Sequence, residues 1–264
     1  MNGLRDLHIH IEGGECSLEW IDRFVSQAVK MDLSEINLLE HSVRIKEFHK
    51  TFADAEAYNL YQRQWVAEKR RTAKSLDEYI SLIENVKSRE YPIKISFGLE
   101  ICWFEQYERE IAQLAKSYPF DYLLGSVHWI DNWTFNQRKY QWKGRNINQI
   151  YKRYFELQES LVQSGIFDVC AHPDLIMCHS LYPDYDLTEA YQSLCRTAKQ
   201  NSVALELNSA RGKSIGINED FFNVAVSEGV SFTAGSDAHS PQDTGKGIKE
   251  ICQRIDFAYP QKAE

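Results

Sequence analysis

The first side chains of this sequence with an evident capacity for chemistry are two histidines, His8 and His10, at the end of a short apolar segment. In a β-strand, residues two apart point to the same side, so both imidazoles would reach one metal ion. Neutral imidazole is a common metal ligand, but it is also tolerated in half-buried strands. The pair alone therefore leaves two interpretations open, a metal site and an ordinary strand.

The same arrangement, a ligand-type side chain at the end of an apolar run, recurs along the chain. Six of the eight histidines and three carboxylates lie at or just after such ends, and only His49 and His179 lie elsewhere. The nine residues are His8, His10, Glu15, His41, Glu100, His128, His172, Asp237 and His239. Random placement would scatter histidine over helices and loops, so the pattern indicates one shared site much more strongly than any single motif does.

The elements that would position these residues are seven short runs rich in apolar and β-branched residues. They span residues 4–10, 35–41, 94–103, 121–129, 167–175, 203–208 and 231–239. Amphipathic helical patterns lie at 17–31, with Ser17 as its N-cap, and at 75–89, 105–117, 147–164, 187–200 and 219–228. This alternation predicts an α/β fold of parallel strand–helix units, closed or nearly closed into a barrel. In such barrels function lies at the C-terminal ends of the strands.

Length and composition predict a single domain over residues 1–264, because no linker-like stretch or change in composition divides the chain. Two long segments, 42–74 and 130–145, fall outside the strand–helix rhythm, and each follows a strand end. One interpretation is a lid or substrate wall, and the other is surface helix that decorates the barrel.

Charge and hydropathy disfavour several classes of partner. Lysine and arginine number 30 against 38 aspartates and glutamates, the formal net charge is −8, and no basic block is present, which disfavours long nucleic acid. No apolar run approaches the roughly 18 residues of a membrane span, and no secretory signal precedes Arg5 and Asp6, so we expect no membrane partner and a cytoplasmic location.

The six cysteines include no Cys-x-x-Cys pair and predict free thiols, with Cys102 and Cys170 pointing into packing. Coiled-coil heptads are absent, and the oligomeric state stays undetermined.

Nine ligand-type residues are too many for one ion, since a zinc-like ion takes three or four protein ligands. The count therefore predicts two or three divalent ions. Two cations about 3.5 to 4 Å apart need a bridging carboxylate, and Glu100, in the middle of the set, is the natural candidate. Mixed imidazole and carboxylate ligands suit zinc, manganese and iron alike, so the identity of the metal stays open.

Six short motifs in chain order carry a family resemblance. They are Asp-x-His-x-His from Asp6, Leu-Glu-His, Gly-Leu-Glu, Gly-Ser-Val-His, Ala-His-Pro-Asp-Leu, and Gly-Ser-Asp-Ala-His ending at His239. Together they resemble the ordered motifs of the polymerase-and-histidinol-phosphatase (PHP) superfamily, and within it the histidinol-phosphate phosphatase branch. The resemblance runs from Asp6 to His239, and it implies a distorted (β/α)7 barrel with up to three metal ions.

The resemblance also implies how the ligands divide among the ions. One ion is held by His8, His10, Glu100 and Asp237, a second by Glu100, His128 and His172, and a third by Glu15, His41 and His239. Glu12 is a rival to Glu15, because a loop sets the spacing after the second histidine. Asp6, Asp174 and Asn208 are expected to orient imidazoles, although Asn208 suits local backbone contacts equally well.

The predicted reaction is the hydrolysis of a small-molecule phosphate monoester, L-histidinol phosphate in this branch. Bound ions would activate water for attack on phosphorus and neutralise the phosphate, with Glu100, Asp237 and His239 as catalytic residues. Arg211 and, second, Arg44 are the guanidinium groups best placed to bind phosphate. Two alternatives stay open. One is a phosphoesterase or exonuclease acting on nucleotides or short oligonucleotides, and the other is a metal-binding protein without turnover.

Overall fold

A computed structural model describes residues 3–210 and 217–259 of the chain. Within them the strands are β1 (Leu4–His10), β2 (Leu33–His41), β3 (Lys94–Cys102), β4 (Tyr122–Ser126), β5 (Trp129–Ile130), β6 (Trp133–Thr134), β7 (Val169–Cys170), β8 (Ala204–Asn208) and β9 (Phe232–Gly235). Seven of them form one parallel sheet in the order β1-β2-β3-β4-β7-β8-β9, and β5 pairs with β6 in a separate antiparallel hairpin. The predicted arrangement of parallel strands is therefore confirmed.

The two edges of this sheet meet. Between β1 and the segment after β9, a parallel bridge joins Ile9 to Ala238, and the His10 N–H donates to the Ala238 carbonyl at 2.7 Å. The pairing of β2 with β3, in contrast, runs without interruption from Glu35 to His41. The described strands thus form a nearly closed, distorted (β/α)7 barrel in which the junction of β1 with β9 carries little backbone pairing.

Helices cover the outside of the barrel. The α-helices of the described residues are α1 (Leu18–Lys30), α2 (Ala53–Tyr58), α3 (Leu60–Arg70), α4 (Leu76–Lys87), α5 (Glu108–Ala115), α6 (Ile147–Gln163), α7 (Thr188–Gln200), α8 (Glu219–Glu228) and α9 (Ile248–Ala258). Short 3₁₀ helices lie at Glu105–Tyr107, Lys139–Trp142, Leu175–His179 and Pro241–Asp243. The sequence patterns predicted six of the α-helices but not α2, α3 or α9. None of the described helices combines the length and the apolar character that crossing a lipid bilayer requires.

Helix α1 illustrates why these segments are helical. Ser17 is its N-cap, as predicted, and its Oγ accepts a hydrogen bond from the Trp20 N–H at 3.3 Å. Ile21, Phe24 and Ala28 are fully buried at the three- and four-residue spacing of one helical face. Burial of this face against the barrel stabilises the helix and fixes its direction.

An apolar floor lies inside the barrel. Leu39 lies two residues before His41 on β2 and therefore faces the same side of the sheet. It packs with Leu124, Val169 and Ala171 in a buried cluster that is separate from the main core. The ligand-type residues beyond these side chains therefore lie next to an apolar layer of the barrel interior.

Residues 42–74, called here the rim insert, fold beside the C-terminal end of β2. The rim insert contains α2, α3 and two 3₁₀ helices, Ser42–Arg44 and Lys46–Phe52. A parallel bridge between Ile45 and Lys74 closes its base, and the Lys46 N–H donates to the Lys74 carbonyl at 3.0 Å. The rim insert is thus an anchored and packed substructure.

Residues 130–145 begin with the β5–β6 hairpin. Its turn residues Asp131 and Asn132 have φ values of 47° and 67°, as expected for a two-residue hairpin turn. Gln62 on α3 joins the hairpin to the rim insert, because its Nε2 donates to the Asn132 carbonyl at 2.8 Å and its Oε1 accepts from the Thr134 N–H at 3.1 Å. The two long segments that follow strand ends therefore pack together.

Candidate metal centre

Eight of the nine predicted ligands lie together at the C-terminal rim of the barrel. His8 and His10 share one face of β1, and the others lie at or just after the ends of β2, β3, β4, β7 and β9. The side chains of His8, His10 and Glu100 are buried, whereas that of His239 is 47% exposed. The site therefore runs from the barrel interior to the solvent.

The first donor group joins β1 to Asp237, two residues after the end of β9. His8 Nε2 and His10 Nε2 lie 2.9 Å apart, and both face Asp237 Oδ1, at 3.5 and 3.3 Å. Glu100 Oε2 completes the group, 3.4 Å from His10 Nε2. Two ring nitrogens and two carboxylate oxygens that converge in this way are a suitable donor set for a divalent ion.

The second donor group uses the other oxygen of the same carboxylate. Glu100 Oε1 lies 3.1 Å from His172 Nε2 and 3.8 Å from His128 Nε2. Because Oε2 faces the first group, Glu100 presents one oxygen to each side. This is the arrangement that its predicted bridging role requires.

The third donor group lies at the outer edge of the site. His41 Nε2 and His239 Nε2 are 3.5 Å apart, and the His41 ring stacks on the His10 ring with centroids 3.8 Å apart. The carboxylate beside them is Glu12, whose Oε2 lies 3.6 Å from His41 Nε2 and whose Oε1 lies 3.6 Å from His239 Nε2. The geometry thus places Glu12, the rival named from the sequence, beside these two imidazoles.

The path of the chain after β1 explains why Glu12 lies at this position. The Ile11 N–H donates to the Leu39 carbonyl at 3.1 Å, which keeps the chain against β2 and holds Glu12 at the rim. The chain then passes through two exposed glycines, and Glu15 is exposed as well. We therefore propose Glu12 as the carboxylate of the third group.

Glu12→Gln is expected to lower the metal content by about one ion per chain, because it removes the charged oxygen donor beside His41 and His239. Glu15→Gln is expected to leave the metal content unchanged. Elemental analysis after equilibrium dialysis against a fixed free metal concentration measures both variants. Equal metal contents in the two variants, or a loss confined to Glu15→Gln, would contradict the choice of Glu12.

Burial and mutual charge set the protonation of the donors. Burial and the positive charge of His41 lower the pKa of His10 to about 3, so its ring is neutral. Burial alone would raise the pKa values of Glu100 and Asp237, but the adjacent imidazoles hold both well below their usual range. Burial also opposes ionisation of Glu12, yet the neighbouring positive charges, that of His41 first, lower its pKa to about 2. These carboxylates are therefore charged and able to bind cations.

The spacing of the donor atoms fits divalent ions. Metal–ligand bonds of about 2.0 to 2.2 Å place neighbouring donors of one ion roughly 3 to 3.6 Å apart. The nitrogen and oxygen atoms described above lie between 2.9 Å (His8 to His10) and 3.8 Å (His128 to Glu100) from their neighbours. His10 also belongs to the third group, with His41 and His239, and Glu100 belongs to the first two groups. Ions bound in the three groups would therefore be neighbours.

Two aspartates tie down the loops that carry the ligands. Asp6, buried on β1, accepts hydrogen bonds from the N–H groups of Ser236 at 2.9 Å and Gly245 at 2.8 Å, and burial raises its pKa to about 6. Asp174 accepts from the Asn218 N–H at 2.8 Å. Both residues were expected to orient imidazoles, and in the structure they accept hydrogen bonds from backbone N–H groups.

Sequence reasoning missed one buried carboxylate, Glu206 on β8. Its Oε1 lies 2.6 Å from His8 Nδ1, and its Oε2 accepts from the His172 N–H at 2.7 Å. Asn208 Nδ2 also donates to this Oε2, at 3.2 Å. The signal in the sequence was a carboxylate inside an otherwise apolar strand, two residues before Asn208 and hence on the same face.

Cys102 lies in the packed core, as expected, but it also contacts a proposed ligand. Its Sγ lies 3.4 Å from Nδ1 of His128, and Ser126 Oγ lies at the same distance from that nitrogen. Burial raises the pKa of the Cys102 thiol to about 12, so it contacts the imidazole as a neutral group. Cys170 does point into packing, where its Sγ donates to Gln158 Oε1 at 3.0 Å.

Two proposed ligands have a left-handed backbone. The φ value of His172 is 31° and that of Asp237 is 53°, which non-glycine residues seldom adopt. Each such residue costs of the order of 1 to 3 kcal/mol, so the surrounding contacts must hold it there. Strands β7 and β9 end just before these residues, and the change of backbone direction aims their side chains into the site.

Of the two predicted phosphate-binding arginines, Arg44 lies beside the third donor group. Its Nε is 2.7 Å from Glu12 Oε2, and another guanidinium nitrogen donates to Thr72 Oγ1. Arg211 lies outside the described residues. Arg44 therefore places a permanent positive charge at the edge of the site.

Comparison with known proteins supports the family resemblance that the six motifs indicate. Residues 6–210 match the family model described as the PHP domain. A probable histidinol-phosphatase of Deinococcus radiodurans is 29% identical over 203 residues, which cover 72% of this chain and 75% of that protein. A probable histidinol-phosphatase of Schizosaccharomyces pombe is 24% identical over 250 residues, which cover 85% and 76%.

A solved structure shares the fold. Histidinol phosphate phosphatase from Lactococcus lactis, complexed with zinc, L-histidinol and phosphate, superimposes with a TM-score of 0.69 at 20% identity. The match covers 97% of this chain and 94% of that one.

The fold and the rim define a class, that of α/β barrels with a candidate metal site built from imidazoles and carboxylates. Because the family model matches most of the sequence, the chain belongs to the PHP domain family. The resemblance inferred from the six motifs is thereby confirmed.

Proposed function

We propose that this protein is a metal-dependent phosphatase that hydrolyses L-histidinol phosphate to L-histidinol and phosphate. The observation that carries the proposal is the convergence of imidazoles and carboxylates around Glu100 and His10, each of which takes part in more than one donor group. The names of the relatives and the fold shared with the Lactococcus lactis enzyme support the substrate. The proposal includes two or three ions of zinc, manganese or iron and a cytoplasmic location.

Divalent ions bound at these residues would supply Lewis-acid activation of water and neutralisation of phosphate charge. Glu100 holds the first two donor groups together, because each of its oxygens faces one of them. Asp237 brings a charged oxygen to the first group. His239 Nδ1 lies 2.8 Å from the Asp237 carbonyl and must donate to it, which leaves Nε2 free to bind an ion or to exchange a proton at the exposed edge.

We further propose that Arg44 and Arg211 bind the phosphate. A phosphate dianion approaching three carboxylates needs positive side chains as well as cations, and guanidinium groups match two phosphate oxygens at once. Arg44 already lies next to Glu12 at the mouth. Arg211 follows the end of β8 in the sequence, where barrel enzymes commonly place such groups.

A row of side chains on α3 is proposed to contact the organic part of the substrate. Tyr61, Trp65 and Lys69 are four residues apart and share one face of α3. The Trp65 ring lies 5.6 Å from that of Trp129, the residue after His128, and Lys69 Nζ lies 5.7 Å from the Trp65 centroid. An aromatic face that packs on the residue after His128 suits the imidazole and ammonium groups of L-histidinol.

Trp65→Ala is expected to raise the KM for L-histidinol phosphate about tenfold while changing kcat little, because loss of an aromatic contact costs about 1.4 kcal/mol of binding energy. Trp65→Phe, which keeps an aromatic face, is the matched control and should stay near the wild-type KM. Steady-state kinetics on p-nitrophenyl phosphate provide a second control, since that ester lacks the amino alcohol. A fall in kcat alone, equal on both substrates, would contradict a role in binding the organic part.

The test of the proposed function is a panel of phosphate esters assayed with added Mn²⁺ or Zn²⁺. L-Histidinol phosphate, p-nitrophenyl phosphate and nucleoside monophosphates are compared by the release of inorganic phosphate. We expect kcat/KM to be greatest for L-histidinol phosphate, by about 100-fold or more over the other esters. Faster hydrolysis of the nucleotides, or no release of phosphate from any ester, would overturn the proposal.

A further inference from the structure

Glu206 is a carboxylate fully enclosed in the barrel, 1% exposed, with hydrogen-bond partners at both of its oxygens. Oε1 lies 2.6 Å from His8 Nδ1. Oε2 accepts from the His172 N–H at 2.7 Å and from Asn208 Nδ2 at 3.2 Å. A buried carboxylate with this many donors is held in a single orientation.

The contact with His8 determines which ring nitrogen is available to a metal. A carboxylate accepts hydrogen bonds, so His8 Nδ1 must carry the proton that it donates to Glu206. Nε2 is then the nitrogen with a free lone pair in the neutral ring. It is this Nε2 that faces His10 and Asp237 in the first donor group.

The contact with His172 fixes a backbone conformation. The φ value of 31° at His172 is unfavourable for a residue with a side chain, and the hydrogen bond from its N–H to Glu206 helps to hold it. In this conformation His172 Nε2 lies 3.1 Å from Glu100 Oε1. One carboxylate therefore acts on a residue of the first donor group and on a residue of the second.

The neighbouring strand leaves room for this carboxylate. A Cβ atom at Gly235 on β9 would lie 2.1 Å from Glu206 Oε1 and 2.6 Å from the Cβ atom of His8. Any side chain at this position would displace Glu206 or His8. Glycine at residue 235 is therefore a requirement of the Glu206 to His8 contact.

We propose that Glu206 is a positioning residue, which sets the metal-facing nitrogen of His8 and the backbone of His172 and thereby couples the first two donor groups. The inference rests on the proposed metal ligands. Glu206 does not contact the substrate in this proposal. Its effect is to raise the affinity of the site for metal.

Glu206→Gln tests this role with almost no change in shape. An amide has one acceptor oxygen, so glutamine can accept from His8 or from the His172 N–H but not through both ends. If its NH₂ group faces His8 Nδ1, the ring proton must move to Nε2, which then cannot bind a metal. We expect the affinity for Zn²⁺ to fall about 10- to 100-fold, the usual effect of removing a carboxylate behind a ligating histidine.

Competition against a chromophoric chelator measures this affinity without any substrate. Raising free Zn²⁺ above the new dissociation constant should restore most of the kcat with an unchanged KM, which a residue acting on substrate would not allow. Because the affinity measurement needs no turnover, it stands even if L-histidinol phosphate is not the substrate.

Glu35→Gln is the matched control. Glu35 is also a buried strand carboxylate, paired with Ser96 Oγ at 2.8 Å and Lys94 Nζ at 2.9 Å, but it lies at the amino end of β2, away from the rim. Glu206→Asp serves as a second variant, since it keeps the charge and the fold while its shorter side chain cannot reach both partners. Wild-type affinity in both Glu206 variants, or a loss no larger than that of Glu35→Gln, would overturn the inference.

Discussion

Glu100→Gln is expected to lower kcat/KM by about a thousandfold or more, and to leave the protein with at most one bound ion per chain, because a bridging carboxylate serves two cations. Glu100 Oε1 faces His172 and His128, while Oε2 lies 3.4 Å from His10 and 2.7 Å from His41 Nδ1. Glutamine removes the negative charge and turns an NH₂ group toward one set of nitrogens. Both donor groups then lose a ligand through one substitution.

Kinetics together with elemental analysis of the same preparation measure this effect. Glu35→Gln is again the control, since it neutralises a buried carboxylate of the same barrel without touching the site. If Glu100→Gln kept wild-type metal content and activity, the three donor groups at the rim would not be the functional metal centre.

Removal of metal is expected to abolish activity reversibly. Prolonged dialysis against a strong chelator should reduce phosphate release to the level of a blank. Addition of Zn²⁺, Mn²⁺ or Fe²⁺ should restore it, because the imidazole-rich donor set suits these ions. Ca²⁺ should fail as a replacement, since it prefers shells made of oxygen ligands only. Activity in protein from which elemental analysis detects no zinc, manganese or iron would contradict the proposed function.

The same dialysis should lower thermal stability. Ligands that bind only the folded state stabilise it, by about 2.7 kcal/mol for a site with free ligand at 100 times its dissociation constant. The apoprotein should therefore unfold at a lower temperature than the loaded protein, as measured by circular dichroism. An unchanged melting temperature would mean that the bound ions contribute nothing to the fold.

The strands and most of the helices could be predicted because their periodicity is a local property. The strand ends were less accurate where ligands follow. The run 167–175 predicted a longer strand than Val169–Cys170, and the run 231–239 predicted a longer strand than Phe232–Gly235. In both cases the strand ends before a residue with positive φ, His172 or Asp237, and apolar composition gives no indication of that strain.

The rest of the site depends on contacts between distant parts of the chain. Glu206 is close to His8 only because β8 and β9 curl back to β1, and this approach has no local signature. The choice between Glu12 and Glu15 depends on the path of a loop after β1, which a motif with variable spacing cannot specify. Helix α9 was missed because its buried residues, Ile248 and Ile251, form too short a stripe to stand out from its polar surroundings.

Because β1 and β9 share little backbone pairing, ions bound at the rim would stabilise the barrel as well as supply chemistry. His8 and His10 stand on one margin of that junction and Asp237 on the other, so an ion in the first donor group would fasten margins that little backbone pairing joins. Binding of this ion would then strengthen the contact between the two edges of the sheet, which already meet at Ile9 and Ala238. Without its ions the protein would lose the contact between β1 and β9 before its other strand pairings. Activity and the closure of the barrel would then be lost together.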